Sequence, residues 1–362
     1  MAPTPRPGIL DIAPYVGGQA HLEGVNRVAR LASNENPLGP SPDAAHAYAE
    51  LAHELHRYPD GGSTALRESL AELHGLDAAG IVCGNGSDEL IALLTRAYAG
   101  PGDEVVYSAH GFLMYPIAAT TAGATAIAAP ETGLTTDVDA ILARVTERTK
   151  IVFLANPNNP TGSYISGETL ERLHAGLPAE VLLVTDAAYA EYADQPDYSD
   201  GADLVARADN VVMTRTFSKI HGLAALRLGW AYAPAGVVDV LNRLRGPFNV
   251  SKPAQAAGLA AVRDRDHVRR SVAHNREWRE WFRQQAAGCG VTALPSQANF
   301  VLLDLGSATQ ADALEAHFKQ HGVLARAMGK YGLPAHLRVS IGTEADMRQA
   351  VDALASFGGA PA

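Results

Sequence analysis

From residue 81 to residue 232, short apolar runs alternate with helical patterns. The runs are IVC (81–83), EVVY (104–107), IVFLA (151–155), VLLVT (181–185), VVMT (211–214) and LGWAY (228–232). Runs that are apolar at successive positions, rather than at every second one, belong to strands covered on both faces, which is the habit of parallel sheets. The chain is therefore expected to be α/β, with a mostly parallel central sheet flanked by helices. Between the first two runs, Leu90, Ile91, Leu93, Leu94, Ala97 and Tyr98 share one face of a helix. Ser87, Asp88 and Glu89 open that helix and Gly100-Pro101-Gly102 closes it. A long helical stretch, 252–287, leads into a different pattern: strand (298–304), helix (308–320), strand (323–326), strand (336–341), helix (344–356). That order reads as a second, smaller α+β unit.

Charge and cysteine content narrow the function. Lys and Arg number 29 against 39 Asp and Glu, a net charge of −10, and no basic block interrupts the chain. A nucleic-acid surface needs clustered cations, so nucleic acid is not an expected partner. Cys83 and Cys289 are the two cysteines, too few for a disulfide framework or a cysteine metal site, and they fit a reducing cytoplasm. No metal is expected. The opening MAPTPRPGILDIAPYVGG carries four prolines and no apolar core, unlike a signal peptide, and no run suits a membrane span.

Several residues carry recognisable chemistry. Lys219 follows the run VVMT, with hydroxyls from Thr216 and Ser218 and a planar cation from Arg227 nearby in sequence. A lysine so placed can form a Schiff base while its neighbours hold a phosphate. Asp186 ends VLLVT at the edge where α/β sheets bind ligands, with Tyr189 three residues on. A carboxylate there can pair with a protonated ring nitrogen or serve as a helix cap. Asn156-Pro157-Asn158-Asn159-Pro160-Thr161-Gly162 forms a rigid turn that presents amides. Gly84-Asn85-Gly86-Ser87-Asp88 brings backbone N–H groups to a helix start, which suits an anion.

These motifs occur in a familiar order. SNENPLGPSP (33–42), RYPDGG, GNGSDELI, HGFLMY, NPNNPTG, DAAY, TFSKIHGLAALRLGW and YGLPAHLRVSIGT make the chain resemble the histidinol-phosphate aminotransferases, which are pyridoxal 5′-phosphate (PLP) enzymes of fold type I. The resemblance implies a large PLP-binding domain (41–250), a C-terminal small domain (251–362) and an N-terminal segment (1–40) that contributes to the small domain and closes over substrate. It implies Lys219 as covalent anchor and general base and Asp186 on the pyridine nitrogen. Asn159 and Tyr189 would contact the 3-oxygen, and Phe112 would stack on the ring. Ser87, Asp88, Thr216, Ser218 and Arg227 would lie around the phosphate.

By the same resemblance, Tyr58 reaches the cofactor of a neighbouring subunit, so a homodimer with shared sites is expected. Arg326, Arg338, Tyr15, Glu35, Asn36 and Asn159 fall to the substrate, an amino donor and a 2-oxo acid. The implied reaction converts L-histidinol phosphate and 2-oxoglutarate into imidazole-acetol phosphate and L-glutamate. The alternatives are an aromatic or pathway-specific aminotransferase and a PLP-dependent phospho-amino-acid decarboxylase. Three positions depart from the family pattern: Ala187 stands where Glu is common, His221 where Tyr is common and Ala327 where Pro is common.

Overall fold

The computed structural model describes residues 3–14, 22 and 27–358. Its centre is a seven-stranded sheet in the spatial order Ile81–Gly84, Gly229–Tyr232, Val211–Thr216, Leu182–Asp186, Thr149–Ala155, Glu104–Ser108, Thr125–Ala129. Gly229–Tyr232 runs antiparallel to both neighbours, and the other pairings are parallel. The six expected runs all lie in this sheet.

Both faces of the sheet are covered, as continuous apolar runs require. Val106, Val152, Leu154, Leu183 and Met213 pack into one apolar layer. Val105, Ile151, Phe153, Val184 and Val212 pack into the other. Each such side chain contributes about 1.5–3 kcal/mol when fully buried, so the strand order is strongly fixed. The helix Ser87–Tyr98 buries Leu90, Ile91, Leu93 and Leu94 against the second layer.

A four-stranded antiparallel sheet follows the helices, in the order Thr292–Ala293, Phe300–Asp304, His336–Ser340, Arg326–Ala327. Helices Ala308–Gln320 and Glu344–Gly358 belong with it, and Leu314, Phe318, Met347 and Leu354 fill its core with Val301, Leu303, Leu337 and Val339. Near the other end of the chain, Ala29–Arg30 pairs in parallel with Val323–Leu324.

Three local features depart from the sequence reading. The edge strand Thr125–Ala129 was not expected, because TAIAA is half-exposed and poor in β-branched residues. The stretch 252–287 is two helices, Lys252–Arg263 and Arg265–Gly288. Asp264 leaves helical geometry at ψ 74° and its side chain accepts from the His267 N–H, capping the second helix. The expected strand 323–326 is split, Val323–Leu324 serving one sheet and Arg326–Ala327 another. Among the described residues no helix is long and apolar enough to cross a membrane.

Candidate active site

The carboxyl ends of the parallel strands converge on a cavity of about 290 Å³. Ser87, Asp88, Phe112, Asn159, Asp186, Tyr189, Thr216, Ser218, Lys219, Arg227, Arg326 and Arg338 all line it. Residues from seven separate stretches of sequence thus share one cavity, since each lies at or follows a strand that ends at the same edge of a sheet, or belongs to the smaller sheet.

Asp186 forms the floor and is almost wholly buried. Tyr115 Oη donates to its Oδ2 at 2.8 Å and Thr214 Oγ1 to its Oδ1 at 3.3 Å. Burial pushes the carboxyl up to about 6, with the Asp88 charge adding to the rise, while the bonds from Tyr115 and Thr214 pull it down. A buried carboxylate in that condition is relieved by a cation placed on its open side. Tyr115 is itself stacked flat on Phe153, with centroids 4.7 Å apart, and Phe112 meets Tyr115 edge-to-face.

Lys219 lines the same cavity. Its Nζ donates to the Ser33 carbonyl at 3.1 Å and lies 6.0 Å from the centre of the Tyr189 ring. By surface area Lys219 is only partly buried, its solvent being the cavity it lines. The surrounding protein nonetheless pushes its ammonium down to about 8, chiefly by desolvation and then through the Arg338 charge. A free amine is therefore available close to neutral pH.

At one end of the cavity the groups suit an anion. Gly86 has φ +83°, and a Cβ there would come within 2.6 Å of Arg227 Nη2, so only glycine lets the guanidinium lie against that turn. Arg227 donates from Nη1 to Ser218 Oγ at 3.2 Å and from Nη2 to Asp88 Oδ2 at 3.1 Å. The Ser218 N–H donates to Thr216 Oγ1 at 3.0 Å, which leaves the Thr216 hydroxyl its proton to give. The helix beginning at Ser87 adds unpaired N–H groups.

At the other end stand two arginines. Arg326 and Arg338 are direct cross-strand partners in the antiparallel pair of the smaller sheet. Their pairing brings two planar cations to the same stretch of cavity wall. Arg338 is buried, donates from Nη2 to the Ala32 carbonyl at 2.9 Å and from Nη1 to Asn159 Oδ1, and covers the Phe300 ring at 5.1 Å. With its oxygen so occupied, Asn159 has its NH₂ left for the cavity.

A strap formed by residues 31–41 crosses the lysine loop. Asn36 Nδ2 donates to the Ile220 carbonyl at 2.7 Å and to Ser271 Oγ at 3.0 Å. Gly222 has φ +66°, and a Cβ on it would lie 2.2 Å from the Gly39 carbonyl oxygen, so the two backbones touch.

Some expected site residues lie elsewhere. Asn36 is outside the cavity wall, its amide committed to the lysine loop. Glu35 points to Arg30 at 3.2 Å and is part-exposed. Tyr58 is 81% exposed and stacks on Phe248 at 4.7 Å, away from this chain's cavity. Tyr15 lies outside the described residues. Of the three departures, Ala187 and His221 are buried and Ala327 is exposed, and none lines the cavity. His221 stacks on Phe217 beneath the lysine loop, and burial pushes its imidazole down to about 4. Conversely, the sequence reading does not single out Asn34, Tyr115 or Tyr331. Asn34 and Tyr331 line the cavity and Tyr115 holds its floor. Each lies within a motif quoted above, and that position is the one signal available in sequence.

Comparison with known proteins agrees with this geometry. The family model for aminotransferase class I and II matches residues 26–354. A histidinol-phosphate aminotransferase of Rhodospirillum centenum is 59% identical over 357 residues, covering 98% of each chain. One of Paramagnetospirillum magneticum is 54% identical, covering 99% of each. Among solved structures, the histidinol-phosphate aminotransferase of Sinorhizobium meliloti in complex with pyridoxal 5′-phosphate superposes with a TM-score of 0.88 at 30% identity, covering 92% of each chain.

Proposed function

We propose a specific activity for this chain, which belongs to the class I and II aminotransferase family and, within it, to the histidinol-phosphate aminotransferases: PLP-dependent transfer of the amino group of L-histidinol phosphate to 2-oxoglutarate. The products are imidazole-acetol phosphate and L-glutamate. The observation that carries the substrate choice is the register of Arg326 on Arg338, which sets two cations on the cavity wall facing Lys219.

The residues fit the cofactor. Asp186, raised by burial and open on its cavity side, suits a protonated ring nitrogen. Arg227, Ser218, Thr216, Asp88 and the helix start at Ser87 suit its phosphate, and Phe112 suits a ring face. Asp88 acts there through its backbone N–H and its hold on Arg227. Asn159 and Tyr189 would direct an amide and a phenol at the 3-oxygen. Bound in this way, PLP supplies a carbonyl that captures the amine and a ring that withdraws electrons from the reacting carbon.

Lys219 does the proton work. Its Nζ, with a free-amine population near neutral pH, takes the proton from the amine-bearing carbon in one half-reaction and returns one to the 2-oxo acid carbon in the other. Arg326 and Arg338 grip the substrate anion, as charge-assisted forks do for phosphate and carboxylate. The strap at 31–41 holds the lysine loop against the smaller sheet, so this segment, which includes Glu35, is assigned with Tyr15 to substrate closure.

Three further readings belong to this proposal. The chain divides into the segment 1–40, a large unit 41–250 and a small unit 251–362, supported by the pairing of Ala29–Arg30 with Val323–Leu324. It acts as a homodimer, supported by the stacked pair Tyr58 and Phe248 and by Leu55, all left in water by the single chain. It works in the cytoplasm, where the free thiols of Cys83 and Cys289 stay reduced.

Single-turnover spectra of the PLP-loaded protein test the activity. Histidinol phosphate should bleach the visible band and 2-oxoglutarate should restore it. Equal or better bleaching by phenylalanine or tyrosine would mark an aromatic aminotransferase, and carbon dioxide release without glutamate would mark a decarboxylase.

A further inference from the structure

Asn34 stands out in the strap. It is a non-glycine residue at φ +57°, in the left-handed region that costs most side chains energy and that asparagine tolerates best. It is also buried. A strained, buried polar residue on a cavity wall persists only if its surroundings hold it, and here all its polar groups are engaged. The backbone N–H donates to Ser340 Oγ at 2.9 Å, and Asn299 Nδ2 donates to the backbone carbonyl at 2.9 Å. Ser340 Oγ in turn donates to Asn34 Oδ1 at 2.8 Å. The remaining group, Nδ2, lies 3.0 Å from Tyr189 Oη.

This network decides which way the amide faces. Ser340 Oγ accepts from the Asn34 backbone N–H and donates its one proton to Asn34 Oδ1, so the amide oxygen is the atom turned toward Ser340. The NH₂ therefore faces Tyr189, and the phenolic oxygen accepts. Its proton is left to donate elsewhere, and Tyr189 lines the cavity. We propose that Asn34 is a positioning residue that turns the Tyr189 hydroxyl proton into the cavity, toward the 3-oxygen of the cofactor. Ser340 lies on the strand His336–Ser340 that also bears Arg338, so the phenol is oriented from the same strand that binds substrate.

The proposal rests on the reading that the cavity takes PLP, and its test is the pH midpoint of the visible band of the loaded protein. A donor on the 3-oxygen draws away the negative charge that favours a proton on the neighbouring nitrogen, so losing that donor raises the midpoint. Asn34→Asp keeps the shape and the bond from Ser340 but presents an acceptor to Tyr189, which must then turn its proton away from the cavity. The midpoint should rise by about one to two pH units, as expected for one hydrogen bond to a charged group. Asn34→Gly suits the left-handed backbone, adds no charge and merely frees the hydroxyl, so its rise should be smaller.

The control is Tyr189→Phe. On that background neither substitution at position 34 should move the midpoint further. A shift that persists without the phenol reports charge or misfolding rather than orientation and overturns the proposal, as does an unchanged midpoint in Asn34→Asp. Should Asn34→Asp fail to fold, Asn34→Gly with and without Tyr189→Phe decides by the same criterion. A wild-type protein that shows no titrating band at all sinks the PLP reading as well.

Discussion

The floor and the far wall of the cavity are built in opposite ways. The floor hangs from a single sheet. Asp186, Thr214 and Thr216 sit on neighbouring parallel strands, Tyr115 is clamped by stacking on Phe153, and the surroundings are fully buried. The far wall comes from the smaller sheet and the strap, with Arg326 on a two-residue strand and Arg338 on the five-residue strand beside it. The strap meets the smaller sheet through Leu31, Ala32 and Asn34 and the larger unit through Ser33, Asn34 and Asn36, each by hydrogen bonds. Rigid strand ends hold a group that stays bound through every turnover. Short, separately anchored segments can give way to admit and release a substrate.

That contrast can be broken first at Lys219. Lys219→Ala should still fold and retain the pocket, yet transamination should fall by about 10⁴-fold or more, since both the covalent anchor and the proton carrier are gone. Steady-state rates with histidinol phosphate check it, and substantial residual turnover would move the catalytic lysine elsewhere.

On the far wall the losses should be smaller and should fall on binding. Arg326→Ala should raise KM for histidinol phosphate about tenfold to a hundredfold, the worth of one charge-assisted fork on phosphate, and should disturb aromatic amino acids less. Arg338→Ala should harm every donor, and Arg338→Lys should recover only part of that loss because it keeps charge without the planar fork. Equal losses on both donors in Arg326→Ala would detach that residue from the phosphate.

The rate of PLP uptake by the empty protein should follow the free-amine form of Lys219. With its ammonium pushed down to about 8, the rate should rise with pH and level off above that value, and at pH 7 it should be about a tenth of the plateau. A flat profile from pH 6 to 9 would contradict the assignment. The smallest effect belongs to Glu35, whose charge holds the lysine up slightly from an exposed position. Glu35→Gln should lower the uptake midpoint by less than about one pH unit, in keeping with the weakness of exposed charges. A larger fall would mean that Glu35 enters the cavity.

What was legible in the sequence follows a different line, between residues set by local pattern and residues set by distant contact. Asp186 after VLLVT, Lys219 after VVMT and Asn159 after IVFLA were legible because their chemistry follows directly on apolar runs. The helix 308–320 was legible to the residue. Elements defined by contact were not. TAIAA becomes a strand only through pairing with Glu104–Ser108, and Asp264 divides a helix by a cap that the mixed charges around it conceal. Asn34 acquires its role from Ser340, more than three hundred residues away in sequence, and Tyr115 from Asp186. Local pattern reports what a segment is, whereas such roles depend on which distant segment it meets.

The touching backbones of Gly39 and Gly222 bear on the order of assembly. They close a loop that contains six of the seven strands of the central sheet, Gly229–Tyr232 lying beyond it, and contacts so far apart in sequence form late because the chain entropy between them must be spent first. Lys219 lies inside that closure and the strap lies on top of it. The lysine is therefore set in its working position only once that long closure has formed.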